Sequence, residues 1–192
     1  MVSEFRIYFE GDKALRQGFL TFLGEIYNQA RMRKCRINLI AAGGTPIEDY
    51  RIAVKTHRDA WNILILDSEG PDDGNLFAHL CLSRGVDMSC AGSVFFMVQL
   101  MEAWFLADTE ALERYYGRGV TAALRGNPVV EEIPKADVLD RLKRATRSTT
   151  KGEYHKTKHA PALLQSSNPK TVRARCPNGE RLFATVLRRL AE

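Results

Sequence analysis

The sequence predicts an α/β fold: a mostly parallel central sheet with flanking helices, followed by a helical C-terminal elaboration. Three observations carry this. Short apolar stretches with strand character recur up to about Leu100. Segments of helical length and periodicity separate them, which favours right-handed βαβ units. One stretch, Ile63-Leu64-Ile65-Leu66, is continuously apolar between Asn62 and Asp67, the pattern of a strand buried on both faces.

The first element is a strand over Glu4 to Phe9, where Phe5, Ile7 and Phe9 alternate with Arg6 and Tyr8. Asp12 is placed to cap the following helix, in which Leu15, Phe19, Phe22, Leu23 and Ile26 recur on one face. Cys35 to Ala42 reads as the second strand, ended by Gly43-Gly44-Thr45-Pro46. Thr45 as N-cap and Pro46 as first residue open a helix expected to reach Ala60. After the buried third strand, a helix from about Gly74 to Arg84 leads to a fourth strand near Val94 to Val98. Beyond Leu100 the chain turns helical, with helices expected at Glu102 to Tyr116, Val138 to Thr146 and Glu180 to Leu190. Gly117 to Pro134 and Ser148 to Gly152 read as loops.

A length of 192 residues suits one buried core, so residues 1–192 are read as a single domain. Within it, 1–108 form the α/β part and 109–192 the helical part. Hydrophobic residues at 45% and charged residues at 27% place the chain among ordinary globular proteins. No apolar run approaches the roughly 18–20 residues that span a bilayer, and no signal peptide is visible at the N-terminus, so a cytoplasmic location is expected. Cys35, Cys81, Cys90 and Cys176 are scattered without CxxC or zinc-finger spacing, the pattern of reduced thiols. The net charge of +5 conceals an asymmetry. From Lys135 onward there are 14 Lys and Arg against 5 Asp and Glu, and before it 14 against 18. A basic C-terminal part suits a phosphate backbone, DNA or RNA, although a solvated helical surface has the same composition.

The acids stand where the chemistry of an open sheet collects. Strand one runs into Glu10-Gly11-Asp12 and strand three into Asp67-Ser68-Glu69-Gly70-Pro71. Ligands gather outside the carboxyl ends of parallel strands, so both sets face one rim. Asp67 and Glu69, two apart on an extended segment, are expected to point the same way. Crowded carboxylates repel unless a cation neutralises them, and an oxygen-only donor set favours Mg²⁺ or Mn²⁺. Glu102, after the fourth strand, is a further carboxylate for this rim or a helix N-terminal acid. Asp72 and Asp73 suit a solvated turn, and Trp104 and Phe105 the core. In the cluster Glu153-Tyr154-His155-Lys156-Thr157-Lys158-His159, Lys156 and Lys158 are candidates for contacting a substrate phosphate. His155 and His159 share helical spacing without an HExxH pattern. Gly43-Gly44-Thr45 reads as a turn; no P-loop, dinucleotide fingerprint or GxSxG elbow is present.

Glu10-Gly11 after one strand and Asp67-Ser68-Glu69 after another resemble the Toprim pattern, in which a Glu follows the first strand and Asp-x-Asp a later one. The third position here is Glu, a longer carboxylate. Met97 to Asp108 resembles a segment of RloB-like Toprim proteins of bacterial defence loci, and Glu153 to Lys158 with Cys176 to Phe183 is similar to an uncharacterised bacterial family related to them. The resemblance implies a metal-dependent nuclease of the OLD/RloB kind. Glu10, Asp67 and Glu69 would then be metal ligands, with Glu10, Asp67, Glu69 and Glu102 catalytic. A nuclease acting on DNA or RNA is therefore expected. The alternative is a non-catalytic or conditionally active partner of an ATPase, which would be a separate chain. A small enzyme of nucleotide chemistry is a lesser alternative.

Overall fold

The computed structural model describes residues 3–120, 124 and 129–192. Four strands, β1 (Glu4–Phe9), β2 (Arg36–Ala41), β3 (Trp61–Asp67) and β4 (Val94–Met97), form an all-parallel sheet in the order β2-β1-β3-β4. The α/β expectation therefore holds. Strands β1 and β3 are central neighbours, so their carboxyl ends, and with them Glu10 and Asp67, lie side by side.

The period of two in the strands sorts side chains into two cores. Phe5, Ile7, Phe9, Ile63, Ile65, Phe95 and Met97 face the larger one. Tyr8, Leu64, Leu66, Val94 and Phe96 face the smaller. The smaller face is covered by α3 (Pro46–Thr56) and α4 (Leu76–Arg84). The larger is covered by α1 (Arg16–Phe22), α2 (Gly24–Met32) and the C-terminal helices. These are α5 (Glu102–Ala107), α6 (Thr109–Tyr116), α7 (Lys135–Thr146), α8 (Lys156–Ser166), α9 (Pro169–Arg175) and α10 (Pro177–Ala191). The C-terminal part is thus half of the main core rather than an appendage. Trp104 and Phe105 are buried in it, Trp104 stacking on Phe22 at 4.8 Å between centroids.

Several boundaries differ from the sequence reading. The apolar face from Leu15 to Ile26 belongs to a short 3-10 turn, capped by Asp12, and to two helices that break at Leu23. Thr45 makes no side-chain cap, and α3 stops at Thr56, not Ala60. The helix expected from Glu102 to Tyr116 divides at Asp108, whose backbone leaves the helical region. There the buried carboxylate accepts from the Ala111 and Asn168 amides. The α8 and α9 helices were not anticipated, and α10 starts at Pro177. Part of the loop expected over Gly117 to Pro134 lies outside the described residues.

One close approach positions α8. A β-carbon added at Gly18 of α1 would stand 2.9 Å from Leu164 Cβ, so only glycine lets these helices meet at this distance. Lys156, the first residue of α8, is delivered to the sheet edge by that packing. All four cysteines are free, and among the described residues no helix is long and apolar enough to cross a membrane.

Candidate functional site

Asp67, the last residue of β3, continues the alternation of Ile63 and Ile65 and so faces the helix-rich side. It is 8% exposed. Its Oδ1 accepts the Met101 amide at 2.8 Å, and its backbone N–H donates to Glu10 Oε2 at 3.0 Å. Glu10 thus braces the end of β3 from the end of β1. Glu102, first residue of α5, is fully buried. Its Oε1 accepts from the Tyr154 hydroxyl at 2.8 Å, while its Oε2 has no protein partner. A buried carboxylate oxygen that accepts no hydrogen bond from the protein is costly, so this oxygen is open to a further partner.

Lys156 stands among these acids. Its Nζ lies 3.7 Å from Asp67 Oδ2 and 3.9 Å from Glu102 Oε1. Burial alone would lower the lysine pKa, but Glu102, Asp67, Glu10 and Glu69 together hold it above its ordinary value. Burial pushes the Asp67 carboxyl up to about 7. Lys156 opposes that rise, Glu10 and Glu102 add to it, and the Met101 amide opposes it. Tyr154 is likewise raised, by burial and by the Glu102 charge its hydroxyl contacts.

Glu69 departs from the extended geometry expected of it. Its φ of 62° is left-handed, and its neighbour across the strand ends, Gln99, has φ 64°. The Glu69 amide donates to Gln99 O at 3.0 Å, the Gln99 amide to Ser68 Oγ at 2.8 Å, and Gln99 Oε1 accepts from the Lys135 amide at 3.0 Å. Two bulky residues held left-handed beside one another are local strain of the kind that collects at functional sites. In this turn the Glu69 carboxylate pairs with the Lys135 ammonium. Glu69 lines a cleft together with Glu10 and Asp67, and its charge reaches Lys156.

That cleft encloses about 630 Å³ between the start of α3 and α4, with Glu10, Asp67 and Glu69 at one end and His79 and Arg84 on α4. Its lining carries Glu10, Glu48, Asp67, Glu69 and Asp73 against Arg84 and a His79 that faces Asp73. Lys135 and Lys156 stand outside it.

Asp72 and Asp73 accept turn amides from Gly74 and Asn75, as a solvated turn requires. Lys158 is exposed, and its charge acts on His159. The two histidines do not form a metal pair. His159 Nδ1 accepts the His155 amide at 2.9 Å, and the buried ring lies among Tyr115, Tyr116 and Tyr154. The Gly43 amide donates to Gly11 O, closing the turn anticipated there. Sequence reasoning missed Tyr154, Lys135 and Gln99 as site residues. Tyr154 stood within a polar cluster judged by its lysines and histidines, and nothing local marks a tyrosine 52 residues away as the partner of Glu102.

As arranged, no three His, Cys, Asp or Glu side chains among the described residues are gathered closely enough to hold a metal ion. The donors at the strand ends are carboxylate oxygens, the type that takes a hard cation, and the positive charge beside Asp67 and Glu102 is the Lys156 ammonium. The profile described as Domain of unknown function (DUF4276) matches residues 20–187. The chain belongs to the DUF4276 family. No curated protein and no solved structure matches it. Within the DUF4276 match fall Asp67, Glu102, Tyr154 and Lys156, while Glu10 precedes it.

Proposed function

We propose that this DUF4276 protein hydrolyses phosphodiester bonds of DNA or RNA in a Mg²⁺- or Mn²⁺-dependent reaction, with Glu10, Asp67 and Glu102 as its acidic centre. The observation that carries the reading is Glu102, fully buried beside Asp67 at the sheet's carboxyl edge with one oxygen unpartnered. A divalent ion there would supply a more acidic bound water and neutralise charge on the phosphate.

The chain's own residues do the rest. Asp67 and Glu102 would hold the cation, and Tyr154 orients the Glu102 carboxylate through its hydroxyl. Glu10 fixes the end of β3 with one oxygen and brings further charge to the rim. Glu69, held by Lys135, stands at the cleft mouth as an outer carboxylate. Lys156 and Lys158 at the start of α8 present positive charge where a nucleic-acid backbone would approach. Three arginines of the C-terminal part have structural partners. Arg173 pairs with Glu25 and Glu180, Arg175 binds the Leu106 and Ala107 carbonyls, and Arg181 binds Ala91 O.

The Toprim-like order of Glu10 and Asp67-Ser68-Glu69 supports this reading, and the likeness to RloB-like proteins supports a place in bacterial defence. The test is incubation of the protein with plasmid, single-stranded DNA and RNA in Mg²⁺ or Mn²⁺, beside Asp67→Asn and Glu102→Gln. Cleavage by the wild type that both substitutions abolish supports it; equal cleavage by all three refutes it. One observation favours a second reading, a conditionally active partner of a separate ATPase. An ammonium already lies between Asp67 and Glu102, as in a resting site. That reading expects no cleavage by the chain alone and cleavage once the ATPase is added.

A further inference from the structure

The strongest feature outside the proposed chemistry is the lysine that intrudes on it. Lys156 begins α8 with its side chain 56% exposed, so it has room to move. Its carboxylate contacts at 3.7 and 3.9 Å are long for hydrogen bonds, the spacing of a charge held between two acids and not locked to either. Tyr154, two residues earlier, holds Glu102 through its hydroxyl independently of Lys156, so the acid stays in place if the lysine leaves.

We infer that Lys156 is the resident counter-ion of the acidic centre, and that a divalent cation binds Asp67 and Glu102 by displacing its ammonium towards solvent. The inference rests on the metal-binding reading above and adds its regulation. Metal entry is an exchange of cations, weakened by the lysine and accompanied by its release. A rigid salt bridge would exclude metal, and a vacant site would not distinguish Lys156 from its neighbours. The half-exposed geometry does neither. Glu102 Oε2, which accepts no hydrogen bond from the protein, offers the incoming ion an oxygen. Once released, Lys156 remains tethered at the helix start, next to any phosphate drawn to the cation.

The test needs no turnover. Mn²⁺ binding is measured by electron paramagnetic resonance at about pH 8.5 for the wild type, Lys156→Met and Lys158→Met. In parallel, acetylation of Lys156 relative to Lys158 in the wild type is followed by mass spectrometry with and without Mn²⁺. Removing the competing charge is expected to tighten Mn²⁺ binding on the order of tenfold in Lys156→Met, with less than about a twofold change in Lys158→Met. Mn²⁺ is expected to raise Lys156 acetylation severalfold over that of Lys158. Wild-type binding that Lys156→Met leaves equal or weaker, with Lys156 labelling unchanged, overturns the exchange while leaving the metal reading intact. Failure of every form to bind Mn²⁺ overturns both. The labelling arm uses only the wild type, so it stands even if a variant folds poorly.

Discussion

Replacing Asp67 by Asn should change how the stability of the metal-free protein depends on pH. The Asp67 carboxyl rises from 3.8 to about 7 because burial disfavours its charge, Lys156 relieves only part of that, and Glu10 and Glu102 add to it. Below 3.8 the group is protonated in both folded and unfolded chains, and above about 7 it is ionised in both. Between these limits only the unfolded chain gives up its proton, so rising pH favours unfolding. The window spans about 3 pH units, which at about 1.4 kcal/mol each amounts to about 4 kcal/mol. Asparagine keeps an oxygen for the Met101 amide and resembles the protonated acid, so Asp67→Asn escapes this loss. The exchange also forfeits the contact with half-exposed Lys156, worth about 1 kcal/mol or less. Urea denaturation of both forms from pH 4 to pH 8 in EDTA measures the difference. The wild type should lose stability relative to Asp67→Asn as pH rises, steepest near pH 5 to 6, and level off above about 7. A difference that stays flat, or that grows in favour of the wild type, would refute the assignment of Asp67 as a buried, charge-crowded acid.

Three further outcomes follow. Tyr154→Phe leaves Glu102 with neither oxygen hydrogen-bonded and should cost about 1–3 kcal/mol in denaturant unfolding; a neutral result would separate Tyr154 from Glu102. Gly18→Ala forces a methyl against Leu164 and should destabilise by about 1–3 kcal/mol, seen in the same assay, whereas an unchanged midpoint would mean α1 and α8 are not closely packed. Glu69→Gly relieves a left-handed glutamate and should stabilise the fold by about 1 kcal/mol by thermal unfolding; a loss instead would mean the Lys135 contact outweighs the strain.

The sheet was legible because its signals are local and strong. Alternation in Phe5, Ile7 and Phe9 and the unbroken Ile63 to Leu66 run place both central strands, and two strand ends then put Glu10 and Asp67 at one edge. Asp12, Asp72 and Asp73 took the turn and cap roles their positions suggested. What escaped was set by tertiary contacts. Helix α8 hides behind Pro161 and a polar start, and its buried face includes His159, a residue that hydrophobic periodicity discounts. The break at Asp108 depends on an acceptor that serves two amides, one from the distant Asn168. Glu69 defeated an extended-chain argument because Gln99 of the neighbouring strand end holds its backbone in a left-handed turn. Lys156 was read as a phosphate ligand, while the acids around it make it first a partner of Asp67 and Glu102.

The account turns on a hard cation taking the place of an ammonium between two buried carboxylates, which anomalous scattering from crystals soaked in Mn²⁺ observes directly. It predicts a peak within bonding distance of Asp67 and Glu102, with the Lys156 side chain turned outward. A soaked crystal with no peak there, or with Mn²⁺ bound elsewhere while Lys156 stays between the acids, would contradict it.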